Sequence, residues 1–230
     1  MPLASSQDHK ARDNGDKGPN TGGMGAYSPA PVVDAAVHDH IMQAVIKPTI
    51  EAMDDDGAPF CGFLYAGLMI DQGKARVVEF NVRLGDPETQ PLLMRLESDL
   101  VDTCIKVLDG RFNEINLQWR GGSSVGVVMA SQGYPESYPK GDIISGLADG
   151  NTTDSKVFHA GTALDDNNEI TTSGGRVLCV VGVADDVKKA QQKAYNACSK
   201  IDWANAYYRT DIGYRAVGRL DALSKEEEVS

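Results

Sequence analysis

Apolar and polar positions along the chain fall into two regimes that meet near residue 118. Residues 34–54 carry Val37, Ile41, Ala44, Val45 and Ile50 at helical spacing, behind an Asp34 suited to an N-cap. Pro48 lies inside this stretch and should kink or divide the helix. Residues 63–70 and 75–84 read as strands, and Asp71-Gln72-Gly73-Lys74 reads as the turn joining them into a hairpin. Pro91 then opens a helix expected to run to about Leu108, with Leu92, Leu93, Leu96, Leu100, Cys104 and Leu108 as its buried stripe. After Gly121-Gly122-Ser123-Ser124 the pattern changes. Residues 125–130, 156–161 and 175–183 read as apolar strands, and residues 185–200 as a helix. The tail Lys225-Glu226-Glu227-Glu228 reads as a solvated charged end. The whole predicts an α+β protein, with one unit over residues 1–117 and a smaller α+β unit over 118–230.

The first 27 residues fit neither regime. Between Ser5 and Tyr27 the only large apolar side chains are Met24 and Tyr27, and five glycines fall between Gly15 and Gly25. A loop of this length without secondary structure is usually functional or disordered. In Gly18-Pro19-Asn20-Thr21-Gly22-Gly23-Met24-Gly25-Ala26-Tyr27, adjacent glycines would let backbone N–H groups approach an anion. The run lacks the Gly-Lys-Ser/Thr of a Walker A loop, and no strand precedes it as in a dinucleotide fingerprint. As a bare motif it reads equally as a flexible surface loop. Asp8-His9-Lys10 reads as three solvated residues near a chain end.

The stretch with the most chemistry is Val77-Val78-Glu79-Phe80-Asn81-Val82-Arg83-Leu84. On a strand, side chains alternate faces, which sends Val78, Phe80, Val82 and Leu84 toward a core. Glu79, Asn81 and Arg83 then share the other face, about 7 Å apart per step. Carboxylate and amide oxygens are hard ligands suited to Mg²⁺, and an arginine beside them is placed to neutralise a phosphoryl group in transfer. Alternation alone describes the wet face of an edge hairpin equally well. The following Gly85-Asp86-Pro87-Glu88-Thr89-Gln90 adds two carboxylates and a turn just before a helix start, which favours a site.

Charge and composition then narrow the partners. The net charge is −11 and no run of Lys or Arg forms a basic patch, so nucleic acid and anionic membrane are poor expectations. Cys61, Cys104, Cys179 and Cys198 form no C-x-x-C pair and have no histidine at zinc spacing, which reads as four reduced thiols in a cytoplasmic protein. The first residues contain no apolar run of signal-peptide type, and no stretch approaches the ~18 apolar residues of a membrane span.

Together these segments resemble one family, the glycinamide ribonucleotide synthetases (phosphoribosylamine–glycine ligases) of the ATP-grasp superfamily. The resemblance is carried by Ser6-Gln7-Asp8-His9-Lys10, by Gly18 through Pro31, and by Gly62-Phe63-Leu64-Tyr65-Ala66-Gly67-Leu68-Met69. It continues in Glu79 through Gln90, Phe158-His159-Ala160-Gly161-Thr162, and Gly174-Gly175-Arg176-Val177-Leu178-Cys179-Val180. Arg83 through Gln90 is its most specific part. The resemblance implies the C-terminal part of an ATP-grasp domain, an antiparallel sheet with helices over residues 1–117, followed by a small α+β C-terminal domain over 118–230.

It also implies a reaction: ATP, glycine and 5-phosphoribosylamine give glycinamide ribonucleotide, ADP and phosphate in de novo purine synthesis, through glycyl phosphate. Glu79 and Asn81 match the family's Mg²⁺ or Mn²⁺ ligands, and Arg83 the arginine beside the transferred phosphoryl. Asn20, Thr21, Gly22, Gly23, Met24 and Gly25, with Asp86 and Glu88, match substrate-side walls. His159 and Gly174-Gly175-Arg176 are expected to be structural. Family members carry an N-terminal substrate domain and an ATP lid ahead of the point where this sequence begins, so it is expected to be about half an enzyme, with a missing N-terminal half as partner. The alternatives are an inactive fragment, or a metal- or nucleotide-binding module without ligase activity. Another ATP-grasp ligase or carboxylase with the same Glu-x-Asn-x-Arg strand is disfavoured by the continuation from Gly85 to Gln90.

Overall fold

The computed structural model describes residues 1–227. The side chains from residue 223 on, and with them the charged stretch read at residues 225–228, lie outside what it describes. In chain order the strands are β1 (Gln7–Asp8), β2 (Ala11–Asp13), β3 (Lys17–Asn20), β4 (Gly25–Ser28), β5 (Tyr65–Asp71), β6 (Lys74–Asn81), β7 (Ser123–Ser131), β8 (Ser155–His159), β9 (Thr162–Leu164), β10 (Ile170–Thr172), β11 (Arg176–Ala184) and β12 (Ala206–Tyr207). The helices are α1 (Ala35–Ile41), α2 (Lys47–Asp55), α3 (Thr89–Leu93), α4 (Leu100–Leu108), α5 (Leu147–Gly150), α6 (Val187–Cys198) and α7 (Tyr214–Glu227). The fold is α+β and these strands pair antiparallel. It divides into two compact units, neither continuous in sequence. The first takes Met1–Pro29, Asp86–Glu97 and Leu117–Ser230, the second Ala30–Gly85 and Ser98–Asn116.

The first unit is built on a sheet in the order β1-β4-β7-β11-β8, with β12 also on β7. Its central strands, SSVGVVMAS and RVLCVVGVA, are rich in β-branched residues and buried almost end to end. Helix α6 covers one face, seating Ala190, Ala194 and Cys198 among Val125, Val127, Val177 and Val180. On the other face Cys179, Val181 and Val183 meet Met94 and Phe158. Cover on both sides is why these strands read as continuous apolar runs rather than as alternations. α6 starts where the Asp186 carboxylate accepts from the Lys189 N–H at 2.8 Å.

The N-terminal segment is not the long loop its composition suggests. It forms β1 to β4, and β4 is fully buried beside β7, with Tyr27 opposite Val125. Met24 and Tyr27 supply its few large side chains directly to the core, too few for any period to register.

In the second unit, Asp34 caps α1 as expected, its carboxylate accepting from Val37 N–H at 2.8 Å. The helix of residues 34–54 is divided, as Pro48 requires. A π turn at Met42–Ile46, with Lys47 N–H reaching back to Met42 O, separates α1 from α2 just before the proline. Val37, Ile41 and Val45 pack with Leu68, Ile70 and Ala75 of the β5–β6 hairpin, whose turn carries left-handed Gln72 and Gly73.

Two expectations fail. Val78 and Val82 are not core residues but are 67% and 76% exposed, and Phe80 is also exposed, beside an open apolar cleft that Val77, Val45 and Met53 also line. A register shift between Gly67 and Leu68 leaves Val78 as an extra residue, and the strand ends at Asn81, so the alternation does not run through residue 84. The single helix expected from Pro91 to Leu108 is two. Residues 95–97 leave the helical path to pair with 118–120, through Arg120 N–H to Arg95 O at 2.7 Å and Glu97 N–H to Gln118 O at 2.9 Å. Asp99 then caps a new helix, α4, accepting from Asp102 N–H at 2.9 Å, and Leu108 at its end is exposed rather than buried.

Candidate functional site

Glu79 and Asn81 alternate with Phe80 on β6 and share the opposite face. Arg83 lies two residues past the strand end, in a bend, and folds back toward them. Its Nη2 donates to Asn81 Oδ1 at 3.5 Å and its Nη1 to Leu84 O at 2.9 Å. Arg83 and Asn81 thus meet in the second unit although Arg83 is off the strand, and Glu79 is joined to them by its place two residues before Asn81 on β6. Asn81 Nδ2 is buried without a hydrogen-bond partner. An amide with an unsatisfied nitrogen and an oxygen held only by a long bond is not fixed by its own surroundings.

Among the described residues no three His, Cys, Asp or Glu side chains converge to hold a metal ion. The carboxylate of Glu79 and the amide oxygen of Asn81 form a hard two-oxygen set. That fits an ion of the Mg²⁺ type, which completes its shell with water and phosphate oxygens, and does not fit an all-protein cage.

The glycine-rich loop lies in the first unit, joining β3 to β4. Its amides are already engaged. Thr21 N–H donates to Lys10 O at 2.8 Å, Gly22 N–H to Tyr134 Oη at 2.9 Å, Gly23 N–H to Thr21 Oγ1 at 2.9 Å and Met24 N–H to His9 O at 2.8 Å. In this conformation the run from Thr21 to Met24 is not an open anion nest, and the carbonyls of Gly22 and Met24 are engaged as well, by Arg176 and by Val128 N–H. Met24 has a fully buried side chain and Gly25 lies inside buried β4, so both belong to the scaffold. Asn20 and Gly22 are exposed.

Asp86 and Glu88 share this unit. Asp86 receives a two-pronged contact from Arg176, Nη1 to Oδ1 at 2.7 Å and Nη2 to Oδ2 at 2.5 Å. Arg176 Nη1 also donates to Gly22 O at 2.8 Å. Glu88 is buried at the start of α3. The two stretches marked from sequence, 20–25 and 86–88, are thus joined by an arginine whose position, at the start of an apolar strand, gave no chemical signal.

His9 also departs from its reading in the sequence. It is not solvated but completely buried, its ring between those of Tyr27 and Tyr214. Its Nε2 accepts from Gly213 N–H at 3.0 Å, which puts the proton on Nδ1, facing Asp16 Oδ1 at 3.5 Å. Burial, and then the Arg209 guanidinium, pull its pKa from 6.5 down to about 4. Burial works against charge on Asp16, but hydrogen bonds from Tyr214, Arg209 and Arg215 outweigh it and hold the carboxyl well below its ordinary range. The buried Arg209 is also gripped by Asp211 at 2.8 and 2.9 Å and donates to Ala11 O at 2.9 Å. This network ties the N-terminal strands to the start of α7.

Comparison with known proteins bears on the same segments. Residues 1–89 match the family model described as phosphoribosylglycinamide synthetase, ATP-grasp (A) domain, and residues 124–215 match phosphoribosylglycinamide synthetase, C domain. The phosphoribosylamine–glycine ligase of Allochromatium vinosum is 55% identical over 220 residues, covering 95% of this chain and 51% of the relative; that of Salmonella typhimurium is 53% identical over the same shares. The crystal structure of phosphoribosylamine–glycine ligase from Thermotoga maritima superposes with a TM-score of 0.81 at 33% identity, over 91% of this chain and 51% of that one. The biotin carboxylase subunit of pyruvate carboxylase, at 14% identity and a TM-score of 0.60, shares the fold alone. The chain spans about half the length of the curated relatives it matches. With one of the family's domains over residues 1–89 and another over 124–215, the chain belongs to the phosphoribosylglycinamide synthetase, or phosphoribosylamine–glycine ligase, family.

Proposed function

We propose that this chain supplies the C-terminal part of an enzyme that joins glycine to 5-phosphoribosylamine, with ATP converted to ADP and phosphate, in de novo purine synthesis. The observation that carries the reading is the run Glu79 to Gln90. It combines a hard-oxygen pair, a guanidinium folded back on it, and an acidic turn, and all but its last residue lie in the stretch matched by the ATP-grasp domain.

In this reading the glycine carboxylate takes the terminal phosphoryl group of ATP. The amine of phosphoribosylamine then attacks the acyl carbon; the C–N bond forms, the acyl C–O bond breaks, phosphate leaves and the nitrogen gives up a proton. Arg83, always charged, spreads positive charge against the phosphoryl oxygens in transfer. Glu79 and Asn81 would hold a divalent ion, Mg²⁺ or Mn²⁺, which when bound neutralises nucleotide phosphate charge. Asn20, Thr21, Gly22 and Gly23, with Asp86 and Glu88, are assigned to the side of the non-nucleotide substrates, Met24 and Gly25 supporting them from the core. The division into an ATP-grasp part over 1–117 and a C-terminal domain over 118–230 belongs to the same proposal. So does a cytoplasmic location, which the four free cysteines support.

The test mixes this chain with a separately produced N-terminal half of the ligase and follows glycine-dependent ADP release. Activity is expected in the mixture, and E79Q in this chain should raise the Mg²⁺ concentration needed for half-maximal rate by about tenfold or abolish turnover. A complex that forms but releases no ADP, or E79Q with unchanged metal dependence, contradicts the assignment.

A further inference from the structure

The contacts of Arg176 go beyond a structural role for a strand residue. Its guanidinium reaches two segments far away in sequence, Gly22 at a separation of 154 residues and Asp86 at 90. Both are segments that carry the proposed function. Arg176 is mostly buried and Asp86 about half exposed, so the pair sits at the surface of the first unit with its geometry fixed from below. A planar guanidinium matches both carboxylate oxygens at once, and here it still has an Nη1 hydrogen for a loop carbonyl.

The packing around this contact leaves no slack. A Cβ on Gly22 would meet Arg176 Cζ at 2.8 Å, and one on Gly23 (φ +114°) would meet Pro87 Cδ at 2.3 Å. The loop thus lies directly against the arginine and against the residue after Asp86. Tyr134 completes the arrangement. Its hydroxyl accepts from Gly22 N–H at 2.9 Å, and its ring lies where a Cβ on Gly175, the residue before Arg176, would collide at 2.3 Å. Gly175 is itself anchored, its carbonyl accepting from Ser131 N–H at 2.8 Å. One peptide group of the loop is held on both sides: Gly22 O by Arg176 and Gly22 N–H by Tyr134.

We propose that Arg176, with Tyr134, is a positioning residue of the ligase. It clamps the Gly22–Gly23 turn to Asp86 and so sets the wall that meets the non-nucleotide substrates. The inference rests on the substrate-side assignment of these segments made above. Nucleotide binding, assigned to the run from Glu79 to Arg83, should not depend on the clamp.

Two readouts test it. The first needs no activity: amide hydrogen exchange in this chain. R176A should speed exchange at Gly22 and Gly23 by about tenfold or more, leaving Val183, inside β11 with its amide held by Asp154 O at 2.9 Å, at its original rate. Y134F should speed Gly22 alone, and D86N should fall between. The second is kinetic, in the mixture with the N-terminal half. R176A should raise the KM for glycine or phosphoribosylamine on the order of tenfold with the KM for ATP unchanged, and R176K, which keeps the charge but not the fork, should restore only part of it. Unchanged exchange at Gly22 in R176A, or acceleration spread equally through β7 and α6, overturns the clamp. A KM for ATP that rises as much as the others overturns the positioning role. If no mixture has activity, the functional reading fails, and exchange alone decides the clamp.

Discussion

Acidification should destabilise the first unit through His9 before its carboxylates matter. His9 has an ordinary pKa of 6.5 in the unfolded chain and about 4 in the fold. Between those values the unfolded chain binds more protons, so stability rises with pH and is lost as pH falls through the window from 6.5 to about 4. At ~1.36 kcal/mol per pH unit, the full separation corresponds to about 3 kcal/mol, of which about 2 kcal/mol is lost between pH 7 and pH 4.5. That is a large share of the ~5–15 kcal/mol expected for a folded domain. The groups facing the ring explain why a proton is unwelcome: Arg209 and Arg215 are cationic and Gly213 N–H points at the nitrogen that would be protonated, while Asp16 and, more weakly, Asp211 oppose them. Asp16 and Asp211 also have lowered pKa values, but their contribution is lost only below about 3.8, outside this window.

The assay is urea unfolding followed by the fluorescence of Trp203, buried in the same core, at pH 7.0, 5.5 and 4.5. H9Q can still accept from Gly213 N–H but cannot titrate. It should be less stable than the parent at pH 7, having lost ring packing against Tyr27 and Tyr214, yet lose about 2 kcal/mol less on going to pH 4.5. Equal losses in H9Q and the parent would refute the reasoning, because every other titrating group is common to both.

Two further outcomes concern how the sheet carries its helix. G182A places a Cβ 2.4 Å from Ala190 O and Ala194 N. Moving α6 away from β11 should cost about 3 kcal/mol and lower Tm by roughly 6–12 °C in differential scanning calorimetry, and an unchanged Tm would mean the contact is not close. D186A removes the side-chain acceptor for Lys189 N–H and should lower stability by about 1 kcal/mol in urea, an effect that D186S should largely reverse.

The sequence was most legible where one element satisfies itself. Asp34 announces a helix start because its carboxylate caps an amide three residues on, and the runs around Val127 and Val180 announce strands because both faces are covered. The hairpin was legible for the same reason, its left-handed turn at Gln72-Gly73 being local. Legibility failed where a distant partner decided the outcome. Pairing of residues 95–97 with 118–120 broke a helix whose own residues favour it, and a one-residue bulge at Val78 undid an alternation that looked complete. The N-terminal stretch looked like a loop because its strands are short and rich in glycine and polar residues, and β7, a hundred residues later, gives β4 its partner.

The candidate site divides along the same line. Glu79, Asn81 and Arg83 could be grouped from the sequence because they are neighbours on one segment, and Arg83 returns to Asn81 even though the strand has ended. Arg176 and His9 were read as structural and as solvated because, apart from Asp16 seven residues beyond His9, their side-chain hydrogen-bond partners are remote in sequence. Their roles come from partners 90 to 204 residues away, Asp86, Gly22 and Gly213. A side chain whose partners are that remote leaves only its own identity in the sequence. An arginine and a histidine are equally ordinary on a surface, and only burial separates the cases. Unpaired, a buried guanidinium or imidazolium is expensive. The structure meets that cost in two ways: it gives Arg209 the carboxylates of Asp16 and Asp211, and it keeps His9 neutral, with the Gly213 amide on its unprotonated nitrogen. The second solution holds only above the pKa of the buried ring, so the histidine that the sequence hid is also the one whose protonation tests the packing of the N-terminal strands.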